Sequence, residues 1–218
     1  MKFQVSSGDF SKTLGKVTAI VPQKSTLPIL ESVYFSLNKN TLSLTGTDLE
    51  LAMVISMQVK GSRGGQLCVP AKKLAEIIRV LPNEEITFDA SVETKRVTIS
   101  SSNGEYKLTC DSAEEFPSVP QLSGTATSAF TIATSVLKKI AATTLFAVST
   151  DELRPSMTGI YLNMKRNETH AVATDGHRLV RVINPDLKAE HAASVVVPAK
   201  ALGMVSRSFE GDSIAVSL

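Results

Sequence analysis

The sequence predicts an α+β protein made of two tandem copies of one unit, each with two helices packed on antiparallel β-sheets, and three observations carry that prediction. The first is self-similarity. At an offset of 127, Phe3 falls on Phe130, Val5 on Ile132, Pro28 on Pro155, Val33 on Ile160 and Phe35 on Leu162. Gly46-Thr47-Asp48 then falls on Ala173-Thr174-Asp175, and at an offset of 128 Val69-Pro70-Ala71-Lys72 falls on Val197-Pro198-Ala199-Lys200. Apolar matches alone would be weak, but paired Thr-Asp and Val-Pro-Ala-Lys motifs at nearly one offset are not a chance pattern. The second observation is a hydrophobic period that switches between helical and alternating within each copy. The third is a stretch rich in Pro, Ser, Gly and Thr (Pro117–Ser128) between the copies.

The elements follow in order. A short strand at Phe3 and Val5 leads into a helix over about 8–21, whose buried face is Phe10, Leu14, Val17 and Val21. Alternation over Ser32–Leu37 and Leu42–Thr45 predicts antiparallel strands. Pro70 stands in the first turn of a second helix, where a missing N–H costs nothing, and Leu74, Ile77, Ile78 and Leu81 give that helix its apolar face. KRVTISS and EYKLTC predict two more strands. The first domain is expected at 1–122 and the second at 123–218, with its helix over 134–147 and Pro198 repeating the role of Pro70. Leu218 is the equivalent of Ala90, so the counterpart of 91–122 is not in the sequence. A unit without those strands leaves a sheet edge unpaired, and the chain is expected to be a piece of something longer.

Composition sets outer bounds. With 218 residues, 43% hydrophobic and 20% charged, the chain is an ordinary globular protein, not a disordered, collagenous or coiled-coil one. No apolar run approaches the ~20 residues of a membrane helix. MKFQVSSGDF lacks the apolar core of a secretory signal, and a cytoplasmic location is the expectation. Two cysteines cannot build a disulfide framework, and Cys68 and Cys110 read as small buried hydrophobes.

The net charge of +2 hides a segregation. The four predicted helices carry nine basic residues (Lys12, Lys16, Lys72, Lys73, Arg79, Lys138, Lys139, Lys200, Arg207) against two acidic ones (Asp9, Glu76). Lys12 recurs as Lys139, Lys72 as Lys200 and Arg79 as Arg207. Solvation of a helix by basic residues does not by itself explain why carboxylates avoid the same faces on all four helices. A one-signed surface repels itself and needs an anionic partner, of which a phosphate backbone is the obvious one. With no tryptophan and almost no aromatic on these helices, stacking on single strands is disfavoured. Long cationic side chains without Asn or Gln favour sequence-blind backbone contact.

Candidate chemistry centres on Thr174-Asp175-Gly176-His177-Arg178. Asp175 and His177 form a possible acid–base pair, and the competing reading is a turn, since Asp-Gly is a strong turn dipeptide. No GxSxG, Walker A, GxGxxG or metal-ligand spacing accompanies it, so no cofactor is expected, and His170 and His191 show no ligand partners. Where copy one has Asp48-Leu49-Glu50, copy two has Asp175-Gly176-His177. The shared Thr-Asp reads as structural. The divergent Gly176, His177 and Arg178, with Leu179, suit a recognition pocket, Gly176 by letting a ligand approach.

TLPIL (Thr26–Leu30), LSLTGTDLE (Leu42–Glu50), VPAKK (Val69–Lys73), EFP (Glu115–Pro117), ELRPSMTG (Glu152–Gly159), VATDGHRL (Val172–Leu179) and VVVPAK (Val195–Lys200) together resemble the bacterial sliding-clamp family, the beta subunits of DNA polymerase III. The resemblance implies clamp domains whose helices line a hole around duplex DNA, in a ring of two head-to-tail subunits with three domains each. It implies no catalysis: the ring tethers a polymerase, and the clamp loader and polymerase dock through short peptides. Arg154, Met157, Thr174, Gly176, His177, Arg178 and Leu179 match the second-domain wall of the family's client pocket. Lys24 matches a DNA contact, and Tyr106 and Leu108 match the edge that meets the neighbouring subunit. Pro155 and Ser156 stand where some clamps carry DNA-touching aromatics, and the third domain is not in the sequence.

Overall fold

The computed structural model describes residues 1–119, 129–151, 153–187 and 192–217. The chain divides into two units, Met1–Pro120 and Gln121–Leu218.

In unit 1, β1 (Lys2–Ser6) runs into α1 (Ser7–Thr18), followed by β2 (Ser32–Asn38), β3 (Thr41–Thr47), β4 (Ala52–Gln58), β5 (Lys60–Arg63), β6 (Gly65–Pro70), α2 (Ala71–Val80), β7 (Glu85–Ser91), β8 (Arg96–Ser101) and β9 (Gly104–Thr109). The strands form two antiparallel sheets, ordered β5-β1-β7-β8-β9 and β4-β3-β2-β6. In unit 2, β10 (Ala129–Ala133), α3 (Thr134–Thr144), β11 (Gly159–Met164), β12 (Thr169–Thr174), β13 (Leu179–Asn184), β14 (Ala193–Pro198), α4 (Ala199–Ser208) and β15 (Ser213–Ser217) repeat the plan, with sheets β13-β12-β11-β14 and β10-β15. Val5 pairs with Ile86 in the first copy and Ile132 with Ile214 in the second, which is the register the offsets demand. β7 is flanked by β1 and β8, whereas β15 pairs with β10 and has no second neighbour among the described residues.

Three boundaries differ from expectation. α1 stops at Thr18, because Val21 precedes Pro22 and a residue before proline is pushed out of the helical region. α3 stops at Thr144 and tightens into a 3₁₀ turn over Leu145–Ala147. There the Thr143 and Thr144 hydroxyls donate back to the Lys139 and Ile140 carbonyls at 2.7 Å each, competing with the helical ladder. Pro70 and Pro198 lie one residue before their helices rather than inside the first turn, closing β6 and β14 as N-cap residues.

The core of unit 1 is aromatic. Phe88 stacks on Phe3 at 4.8 Å and on Phe35 at 5.4 Å, and Phe10 meets Phe3 and Phe35 edge-on at 6.2 Å. The equivalent places in unit 2 hold Phe130, Leu137, Leu162 and Val216, so three of the four rings are replaced there by aliphatic side chains. Each unit also packs its two helices side by side, α1 on α2 and α3 on α4. Cys68 and Cys110 are buried, and burial followed by the Asp111 charge pushes the Cys68 thiol up to about 12. Tyr106 and Leu108 lie half-buried on β9, an edge strand, and lean on the unit 1 core.

Candidate functional site

The turn after β12 decides between the two readings of Asp175. Its Oδ1 accepts the N–H groups of His177 and Arg178, both at 3.0 Å, and its Oδ2 accepts the Arg178 Nε at 2.9 Å. The Thr174 hydroxyl accepts the Gly176 N–H at 3.1 Å and donates to the Arg178 carbonyl at 2.8 Å. Copy one repeats the arrangement. Asp48 Oδ1 accepts the Glu50 and Leu51 N–H groups at 3.1 and 2.8 Å, and the Thr47 hydroxyl accepts the Leu49 N–H and donates to the Leu51 carbonyl at 2.7 Å. The Thr-Asp pair is therefore a turn-building device in both copies. Gly176 has φ +89°, the left-handed region, and Leu49 adopts φ +78° at the same place. A Cβ at Gly176 would meet Arg154 Nη1 at an ordinary 3.8 Å. The glycine eases this conformation: a side chain in that region costs on the order of 1–2 kcal/mol.

Asp175 is also a poor base. The N–H groups of Arg178 and His177, then the Arg178 guanidinium, hold its carboxyl down to about 2. Its folded value lies below the unfolded one of about 3.9, so the stability it supplies is present above pH 4 and lost as pH falls towards 2. Thermal melts should show wild type above Asp175→Asn at neutral pH, with the gap closing over that acidic window. A gap that persists at pH 2 would contradict the assignment.

Beside the turn lies a cleft of about 410 Å³ lined by Val148, Ser149, Thr150, Asp151, Arg154, Asp175, His177 and Arg178. Of the sequence-predicted wall, it gathers Arg154, His177 and Arg178. Thr174 and Gly176 shape the turn instead, the exposed Leu179 opens β13 next to it, and the Met157 carbonyl accepts the Ser149 N–H at 3.0 Å, tying down the far loop. Two cations of the cleft are held by carboxylates three residues earlier: Arg154 Nε by Asp151 at 3.4 Å and Arg178 Nε by Asp175. Sequence reasoning missed Asp151 and Phe146, whose ring lies 5.5 Å from the Arg178 guanidinium carbon. The signal was in the repeat, since Asp151 and Phe146 fall on Lys24 and Ala19 in copy one. His170 is engaged elsewhere, with Nε2 at 2.6 Å from Glu168 Oε1, and His191 lies outside the described residues.

The basic set is presented outward. Lys12, Lys72, Lys73 and Arg79 on α1 and α2, and Lys138, Lys139, Lys200 and Arg207 on α3 and α4, are exposed, as is Lys24 in the loop after α1, while Lys16 is half-buried. Buried positions of the same helices are taken by Phe10, Leu14, Val17, Leu74, Ile78, Leu137, Ile140 and Leu202, so the cations stand on the solvent faces of amphipathic helices. Among the described residues no cluster of His, Cys, Asp or Glu could hold a metal ion, and no helix is long and apolar enough to cross a membrane.

Residues 1–120 match the family described as DNA polymerase III beta subunit, N-terminal domain, and residues 131–218 match its central domain. The chain belongs to the DNA polymerase III beta subunit family. A beta sliding clamp of Pseudomonas putida is 31% identical over 209 residues, covering 95% of this chain and 56% of that protein. One of Synechococcus elongatus is 32% identical over 226 residues, covering 100% of this chain and 59% of its own. Among solved structures, a sliding clamp from Pseudomonas aeruginosa bound to griselimycin is similar with a TM-score of 0.90 and 29% identity, over 100% of this chain and 59% of that one. A Bartonella birtlesii clamp bound to griselimycin gives 0.88 and 31%, over 100% and 60%. The chain thus spans little more than half the length of the relatives it matches. Within the beta subunit family, its two units occupy the positions of the first two domains.

Proposed function

We propose that the protein works as a sliding clamp: a non-catalytic ring subunit that surrounds duplex DNA and tethers the replicative polymerase in the cytoplasm. The observation that carries this reading is the recurrence of outward cations on paired helices in both units, with Lys12 and Lys139, Lys72 and Lys200, and Arg79 and Arg207 in equivalent places. Many weak, hydrated contacts to phosphate hold a duplex without locking onto a sequence, which permits sliding. Lys16 and Lys24 extend the same contact. The cleft at Arg154, His177 and Arg178, with Met157, Thr174, Gly176 and Leu179 around it, receives peptide segments of the polymerase and clamp loader. Tethering then turns polymerase rebinding into a local event at high effective concentration. Tyr106 and Leu108 on the β9 edge meet the neighbouring subunit of a head-to-tail dimer.

Duplex binding followed by fluorescence anisotropy across a salt series tests the pore assignment. Lys72→Glu, Arg79→Glu, Lys200→Glu and Arg207→Glu combined should flatten the slope of log affinity against log salt by about three to four, roughly 0.9 per lost phosphate contact, with the circular dichroism spectrum unchanged. An unaltered slope would remove these helices from the DNA contact.

A further inference from the structure

The two copies provide a subtraction. Features present in both turns build the scaffold, and features confined to copy two belong to its cleft. The Thr-Asp hydrogen bonds cancel. Among the differences that remain are Arg178 in place of Leu51 and Phe146 in place of Ala19. Phe146 is 56% exposed, so this large aromatic contributes little burial where it stands. Its ring instead covers one face of the Arg178 guanidinium at 5.5 Å, while Asp175 Oδ2 holds the Nε of the same group at 2.9 Å. With one face and one edge fixed, the guanidinium has few rotamers left, and its terminal nitrogens have no protein partner among the described residues. A cation held in that way donates to a carbonyl or carboxylate without first losing side-chain freedom.

We infer that Phe146 is a positioning residue of the client cleft, which acts by orienting Arg178 towards the incoming peptide rather than by touching the peptide itself. This rests on the cleft reading given above. Stacking of a cation on an exposed ring accounts for about a two- to fivefold change in affinity.

A double-mutant cycle with griselimycin as the probe, titrated calorimetrically into the whole chain, tests it. Phe146→Leu, which keeps apolar bulk but removes the ring, should weaken griselimycin about two- to fivefold, and Phe146→Tyr should restore wild-type affinity. In an Arg178→Ala background, Phe146→Leu should change nothing. A full penalty in that background would mean that Phe146 contacts the ligand on its own and would overturn the inference. A second readout needs no ligand: the Arg178 Nε–H resonance should shift between wild type and Phe146→Leu, and an unmoved resonance would equally overturn it. Should wild type fail to take up griselimycin, the cleft reading falls, and the resonance still decides whether the ring orients the guanidinium.

Discussion

Phe88→Ala is expected to destabilise unit 1 by about 3–5 kcal/mol, the range for truncating a fully buried phenylalanine. Phe88 is 0% exposed and sits between Phe3 and Phe35, with Phe10 edge-on at 6.5 Å. It lies on β7, which joins β1 to β8, so its ring is the place where the sheet, α1 and the second sheet through Phe35 meet. Removal forfeits the transfer free energy of the ring and leaves a hole walled by three other rings that cannot all collapse into it. Amide hydrogen exchange is the suitable measurement, because it reports the two units separately. Protection should fall across β1, β7 and β8 while β11 and β12 keep theirs. A loss below about 1 kcal/mol would mean the site relaxes and the aromatic cluster is not the keystone of the unit.

Gly159→Ser is expected to cost unit 2 about 1–3 kcal/mol through overpacking. A Cβ at Gly159 would stand 2.6 Å from the Val197 carbonyl oxygen and 2.7 Å from Val196 Cγ1. Copy one carries a buried Ser32 at the equivalent position, and at the position equivalent to Val196 it has Cys68, with one γ atom where Val196 has two. The repeat thus pairs serine with cysteine in copy one where copy two pairs glycine with valine, an exchange of bulk that keeps the combined size similar. Adding Val196→Cys to Gly159→Ser should therefore recover part of the loss in a urea titration, whereas Val196→Cys by itself should leave a small cavity and a small penalty. If the double variant is as unstable as the sum of the singles, the clash is with the carbonyl rather than with the valine.

The sequence was most legible where a physical period repeats. Alternation marked β2 and β3, and Phe10, Leu14 and Val17 marked the buried face of α1. The helix ends were less legible, because they depend on Pro22 and on threonine hydroxyls that turn back on the backbone, neither of which changes the hydrophobic pattern. In the cleft, the turn residues were visible because Thr, Asp and Gly have local conformational meaning, and the positive φ of Gly176 adds a conformational role that the sequence reading did not name. Phe146 and Asp151 showed in the repeat only as differences from Ala19 and Lys24, and what each does depends on a partner brought near by the fold, Arg178 for one and Arg154 for the other. Local rules say nothing about such meetings.

In each unit the opening strand pairs with a strand far along the chain: Lys2–Ser6 with Glu85–Asp89, and Ala129–Ala133 with Ser213–Ser217. During synthesis β1 meets β5 first and gains β7 only later, and β10 has no strand partner among the described residues until β15 is made, whereas the sheets β2-β3-β4 and β11-β12-β13 can zip hairpin by hairpin as they emerge. The long-range pairings β1 with β7 and β10 with β15 therefore close late, after the local hairpins of each unit are available, with α1 and α3 tethered next to strands whose sheets are still incomplete. Pausing or slow codons just downstream of position 89 would give the first half time to close before the second begins to compete for its edges.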